Sequence, residues 1–240
     1  GLALDEWVPP AQPDNERWLA EGLRAGRKEN PDVFSAIWST EPTPALFELA
    51  RDGTADLLIV EGYTHSVKAA QSLSWDGALR RLEKFAEAKA LGVKYAGCAW
   101  IGHKPPFDEA AVRDAIAVFN KAGEVAAAAG INFFYHCHGY EFLPYKTGTL
   151  MDELITGTDP KKVSFQMDVL WVVFPGQDPV KWLRKYPGRW SLMHLKDLRK
   201  GVVGDASGRT DLKNDVAIGT GQMNWPAILK AAQEVGVKHY

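Results

Sequence analysis

Short apolar runs alternate with longer amphipathic stretches along all 240 residues of the chain. The runs at 2–7, 33–40, 56–63, 93–100, 131–138, 163–170, 190–196 and 237–240 read as strands, eight in all. The stretches at 15–28, 44–51, 74–91, 108–129, 150–155, 179–185 and 225–235 read as helices. Ser74 is placed as an N-cap and Gly92 as the C′ residue of the third helix, and Gly130 and Gly236 close two later ones. Such alternation predicts α/β architecture with parallel strands and right-handed crossovers. An open doubly wound sheet and a closed barrel both obey that rule. Strands recurring about every thirty residues, their number, and the lack of a glycine-rich dinucleotide fingerprint after the first favour the barrel. The expected fold is therefore a (β/α)₈ TIM barrel occupying residues 1–240 as one domain, its eighth strand a truncated stub. The long segment 197–223, rich in Gly, Asp and Lys, is expected to be a functional or mobile loop.

Composition narrows the partners. Apolar residues make up 46% and charged residues 24%, ordinary values for a globular domain of this length. Net charge is −2, with Lys and Arg dispersed, so the basic stripe that a nucleic-acid partner needs is missing. No apolar run reaches membrane-spanning length, and no signal-peptide pattern opens the chain. The first residue is Gly1 rather than Met, which fits a removed leader or a trimmed chain equally. The expectation is a cytoplasmic protein with no nucleic-acid or membrane partner, an exported, periplasmic one being the alternative. Cys98 and Cys137 each sit in a strand-like segment and read as small core residues, not as a disulfide. Nine tryptophans suit a pocket lining or a homo-oligomer interface as well as core packing.

The chemistry collects where polar residues interrupt apolar strands. His136 and His138, Gln166 and Asp168, and His194 and Lys196 form three pairs at a spacing of two, so each pair shares one strand face. All three lie at the carboxyl ends of strands, where β/α barrels build their sites. Taken singly, a buried His is usually a hydrogen-bonded core residue, a strand-end Asp a helix cap, and a strand-end Lys a snorkelling cation. Six polar groups at equivalent places on three consecutive strands are costly to bury unless they serve each other, a metal or a substrate. Carboxylate plus imidazole donors suit Mn, Fe, Co, Ni or Zn, and a carboxylate-rich variant suits Mg. Glu141 stands three residues beyond His138, within reach of the barrel mouth, and by itself reads equally as an exposed loop carboxylate.

Several ordered stretches carry a family resemblance: Cys98-Ala99-Trp100-Ile101, Phe119-Asn120-Lys121-Ala122-Gly123-Glu124, Tyr135-His136-Cys137-His138-Gly139-Tyr140-Glu141-Phe142, Met167-Asp168-Val169-Leu170-Trp171, His194-Leu195-Lys196-Asp197 and Gly219-Thr220-Gly221. From about residue 91 onward the chain resembles the sugar phosphate isomerase/epimerase family of xylose isomerase-like TIM barrels. The resemblance implies a divalent metal (Mn, Mg, Co or Zn) and a small-molecule sugar or sugar-like hydroxy-carbonyl substrate. It implies an isomerase or epimerase working through an enediolate. Carried over by position, Glu141, Asp168 and His194 are the metal ligands, and a further Glu ligand falls beyond Tyr240. Glu141, Lys196, His136 and His138 are the expected catalytic groups, with Trp100, Trp171 and Glu61 against the substrate. Gln166 stands where the family commonly has an acidic residue. Asp5, Glu6, Glu61 and the segment Gly62-Tyr63-Thr64-His65 are assigned to a divergent substrate pocket or to a different barrel lineage.

Three rival readings share the barrel. A dehydratase acting on a keto-inositol or keto-sugar would use the same site. A sugar-binding or trimmed barrel one ligand short would bind without turnover. A DNA-repair endonuclease is disfavoured by the acidic balance and by a count of only six histidines.

Overall fold

The computed structural model describes residues 94–240 continuously. Ahead of them it describes the strands β1 (Leu2–Trp7), β2 (Ser35–Ser39) and β3 (Leu57–Val60), with short helical stretches at 21–25, 28–29 and 48–49. Glu61, the segment 62–65, the helix expected at 74–91 with its Ser74 and Gly92 caps, and most of those at 15–28 and 44–51 lie outside the described residues. So do the side chains of Asp5 and Glu6. The chain divides into two compact units, Gly1–Cys98 with Glu124–Phe133, and Ala99–Gly123 with Phe134–Tyr240.

In the first unit β1, β2 and β3 form a parallel sheet in chain order, with Ala36 opposite both Ala3 and Leu57. The strand β4 (Tyr95–Cys98) follows, and it neighbours the start of β5 (Asn132–His136). Asn132 N–H donates to Lys94 O at 2.9 Å to set that pairing.

In the second unit the chain leaves β5 through Gly139, whose φ of 99° favours glycine, into a short 3₁₀ turn, Tyr140–Phe142. A hairpin of β6 (Pro144–Tyr145) and β7 (Gly148–Thr149) follows. The end of β5, β8 (Val163–Asp168) and β9 (Trp190–His194) lie side by side in that order. β8 and β9 are parallel, with Gln166 opposite Leu192 and Asp168 opposite His194. That register brings Asp168 and His194, one member each of two polar pairs, to the same height.

Helices alternate with these strands, and each start has a local cause. α1 (Glu109–Ala128) is preceded by Asp108, whose Oδ1 accepts the Ala111 N–H at 2.9 Å. It packs so closely that a β-carbon at Gly123 would sit 2.7 Å from the Lys162 carbonyl oxygen. α2 (Leu150–Gly157) opens with a reciprocal capping box between Thr149 and Asp152. α3 (Val169–Val173) starts directly after β8 with Asp168 as its cap, so the strand expected at 163–170 ends two residues early. α4 (Pro179–Lys185) has Asp178 as cap and proline in its first turn, and α5 (Trp225–Val235) runs from Asn224 to Gly236.

Strand β9 likewise stops at His194, and the segment expected as a loop at 197–223 carries structure of its own. Within it β10 (Asp197–Leu198) pairs antiparallel with β11 (Asp215–Val216). The final run contributes a single parallel bridge, His239 to Leu192, with Met193 N–H donating to His239 O at 2.9 Å. Tyr135, Phe165, Met151, Leu154, Ile155 and Trp190 are fully buried around the strands. Cys137 is buried too, and Cys98 and Cys137 form no disulfide. Among the described residues no helix is long and apolar enough to cross a membrane.

Candidate functional site

Alternation along β5, β8 and β9 puts Tyr135, Cys137, Met167 and Met193 into the apolar packing and leaves His136, Asp168 and His194 on the opposite face. These three are themselves buried, and their donor atoms all lie within 4.8 Å of one another. Asp168 stands at the centre. Its Oδ1 accepts the Trp171 N–H at 3.1 Å, while the buried Oδ2 accepts no hydrogen bond. Around Oδ2 lie His194 Nδ1 at 3.1 Å, His136 Nε2 at 3.6 Å and Lys196 Nζ at 4.0 Å.

Electrostatics follow from that crowding. Burial resists ionisation of Asp168, but the neighbouring imidazoles and the Lys196 ammonium hold its pKa down to about 2. Burial pushes His136 down to about 3 despite the pull of Asp168, so its ring is neutral near pH 7. The Gln166 Oε1 accepts from His136 Nδ1 at 2.9 Å, which places the proton on Nδ1 and turns the Nε2 lone pair toward the carboxylate. A lone pair facing a buried carboxylate oxygen needs a positive charge between them. Two imidazoles and one carboxylate, clustered and buried, are a donor set that suits a divalent transition metal. The residues present fit such an ion.

Glu141, expected among the ligands, is not in this cluster. Its buried carboxylate turns to the Tyr135 hydroxyl and accepts the His138 N–H at 2.9 and 3.1 Å. Burial lifts its pKa to about 7 against those hydrogen bonds. The 3₁₀ turn after Gly139 swings the side chain beneath the strand end, which linear spacing does not reveal. The hydroxyls of Tyr135 and Tyr140 lie 2.9 Å apart, and Tyr140 accepts the Ile101 N–H at 2.8 Å. Glu141 thus ends a buried polar chain behind the cluster.

Trp100 and Trp171, expected against substrate, both flank His138. The Trp171 ring stacks on it at 4.5 Å and Trp100 meets it edge-on at 4.9 Å. Burial takes the His138 pKa down to about 4, and its buried Nδ1 has no hydrogen-bond partner. His103, which the sequence pattern did not single out, continues this wall. It stacks on Trp100 at 5.6 Å, meets Tyr140 at 4.5 Å and bonds to Ile101 O through Nδ1 at 2.7 Å. It lies in a strandless segment, so no periodicity signals it.

With this geometry in hand, residues 45–240 match the family described as xylose isomerase-like TIM barrel. The chain belongs to that family. A sugar phosphate isomerase/epimerase from Parabacteroides distasonis ATCC 8503 aligns with 100% of this chain and 84% of its own, at 25% identity and a TM-score of 0.68. The IolI protein, solved with a binding zinc atom, shares the fold at 14% identity and a TM-score of 0.57, over 83% of this chain and 82% of its own. Inosose dehydratase of Clostridium tetani (strain Massachusetts / E88) is 37% identical over 100 residues, and that of Geobacillus thermodenitrificans (strain NG80-2) is 38% identical over 96. Those segments are 42% and 40% of this chain but 33% and 32% of the dehydratases, so the match spans about a third of their length. Membership of the xylose isomerase-like family makes the chain an α/β barrel protein of an enzyme family. It also makes the carboxyl ends of β5, β8 and β9 the face on which such barrels act.

Proposed function

We propose that the chain is one barrel domain of a metal-dependent enzyme that eliminates water from a keto-inositol or a related keto-sugar. The observation that carries the reading is Asp168 Oδ2, a buried carboxylate oxygen without a hydrogen bond, ringed by His136, His194 and Lys196. The inosose dehydratase relatives supply the substrate class. His136, Asp168 and His194 would hold the ion; zinc suits the donor set, as do Mn and Co, and Mg less well. A divalent metal there supplies Lewis-acid polarisation of the substrate carbonyl and its neighbouring oxygen.

The remaining work falls to the chain's own groups. His138 is neutral near pH 7 and can take the proton from the carbon beside the carbonyl. Lys196 steadies the negative charge that develops on the carbonyl oxygen, and it or protonated His138 returns a proton to the β-hydroxyl, which leaves as water. Gln166 fixes the His136 tautomer. Glu141 positions the His138 backbone and does not touch substrate. Trp100, Trp171 and His103 form an aromatic wall against which the ring's C–H face can lie.

Isomerisation or epimerisation is the second reading, favoured by the likeness to the Parabacteroides protein along the whole chain. Both begin with the same proton removal and differ in where the proton returns. Incubating the metal-loaded protein with inosose and a panel of keto-sugars separates them. An unsaturated or diketone product supports elimination, an isomeric sugar supports the second reading, and no turnover with stoichiometric metal would sink both. The same reading makes the chain a cytoplasmic or exported enzyme, alone or as a homo-oligomer, acting on a small molecule.

A further inference from the structure

The segment between β9 and α5 is held at two points. At its base the buried Asp197 carboxylate accepts the N–H groups of Gly219 at 2.8 Å, Gly221 at 3.0 Å and Met223 at 3.2 Å, and Trp225 Nε1–H at 3.0 Å. Three of these four donors meet Oδ2 and one meets Oδ1, and Asp197 is the residue after Lys196. At the far end Gly208 is buried with φ 69°. A β-carbon there would lie 2.8 Å from Tyr140 Cδ1 and 3.4 Å from His138 Nδ1, so the backbone itself rests on the two rings. Between these points a β-carbon on Gly204 would collide with the Phe174 ring. The tip is knit locally, with Asp205 Oδ1 accepting the Ser207 N–H at 2.9 Å and Ser207 Oγ accepting the Arg209 N–H at 3.2 Å.

We propose that residues 199–223 form a fixed wall of the sugar site, seated on His138 and Tyr140 through Gly208 and clamped at its base by Asp197, which makes Asp197 a positioning residue for the reaction. This rests on the reading that the site surrounds His136, Asp168 and His194. The wall closes one side of the space beside His138, so water is excluded where the substrate's proton moves. It also fixes the size of ring that fits there. A flexible loop would need neither a buried carboxylate with four donors at its base nor a glycine in ring contact at its tip.

Gly208→Ala tests the seat. Gly188→Ala is the matched control, since Gly188 has φ 77° yet its β-carbon would meet nothing within 4 Å. Limited trypsin digestion read by mass spectrometry reports opening at the bond after Arg209, one residue from the seat. The expected result is cleavage about tenfold faster in Gly208→Ala than in the parent chain, with Gly188→Ala unchanged. With inosose as probe, KM rises about tenfold and kcat falls as water reaches the proton transfer beside His138, while metal content holds. Asp197→Asn, which keeps the shape and weakens the clamp, shows the same changes to a smaller degree. Equal cleavage in the parent and Gly208→Ala overturns the proposal, as does an equal KM rise in Gly188→Ala or loss of metal from Gly208→Ala. A parent chain without stoichiometric metal refutes the functional reading instead, and the cleavage comparison then decides the wall by itself.

Discussion

Asp168 and His194 face one another across the parallel strands β8 and β9, with Oδ2 3.1 Å from Nδ1. The same carboxylate caps α3 through its other oxygen. Asp168→Asn keeps the cap oxygen and removes the charge, so metal is expected to be lost while the fold persists. Asp168→Ala removes both and is expected to unfold about 1 kcal/mol more easily than Asp168→Asn when both are metal-free. Elemental analysis and urea unfolding check the pair; stoichiometric metal in Asp168→Asn would show that the ion sits elsewhere.

Gln166 touches His136 rather than the ion. Gln166→Ala frees the ring's tautomer and is expected to weaken metal affinity about 10- to 100-fold. Competition with a chelator measures this. Gln166→Glu, which still accepts from Nδ1, should restore binding; equal loss in both variants would mean a packing defect.

Lys196 Nζ lies 4.0 Å from Asp168 Oδ2. In Lys196→Met the stem packs similarly and the ammonium is gone. kcat is expected to fall about 100-fold, with metal content unchanged. A change confined to KM would assign the lysine to ground-state binding instead.

Glu141 carries a pH signature. Its pKa in the folded chain is lifted to about 7 by burial, above the carboxylate value of the unfolded chain. Between those values the folded state binds more protons than the unfolded one. Stability from this residue is thus greatest at low pH and falls as pH rises toward about 7. In chelator-treated protein, Glu141→Gln should remove that slope, a difference on the order of 3 kcal/mol across the window. Parallel pH profiles of thermal unfolding for the two proteins would refute it.

Much of this is legible in the amino-acid sequence. The period of two placed His136, Asp168 and His194 on one face, and the strand–helix alternation placed that face at the strand ends. Where Glu141 goes is not legible, because sequence distance from a strand end says nothing of a turn's direction; a positive-φ glycine and a 3₁₀ turn send it behind the strand. Asp197 closes the stretch His194-Leu195-Lys196-Asp197, but nothing in the sequence marks its role. Its four partners are backbone and indole N–H groups 22 to 28 residues away, and backbone donors leave no pattern in sequence. His103 escaped for a similar reason, lying in a segment with no period to break.

The passage from β8 to α3 takes no loop at all: Asp168 ends one and caps the other. There is no slack at that rim for an insertion. Among the described strand ends, the stretch after β9, where Gly208 sits, is long enough to change without disturbing a cap. One strand end is thus closed to insertion and another is open to it.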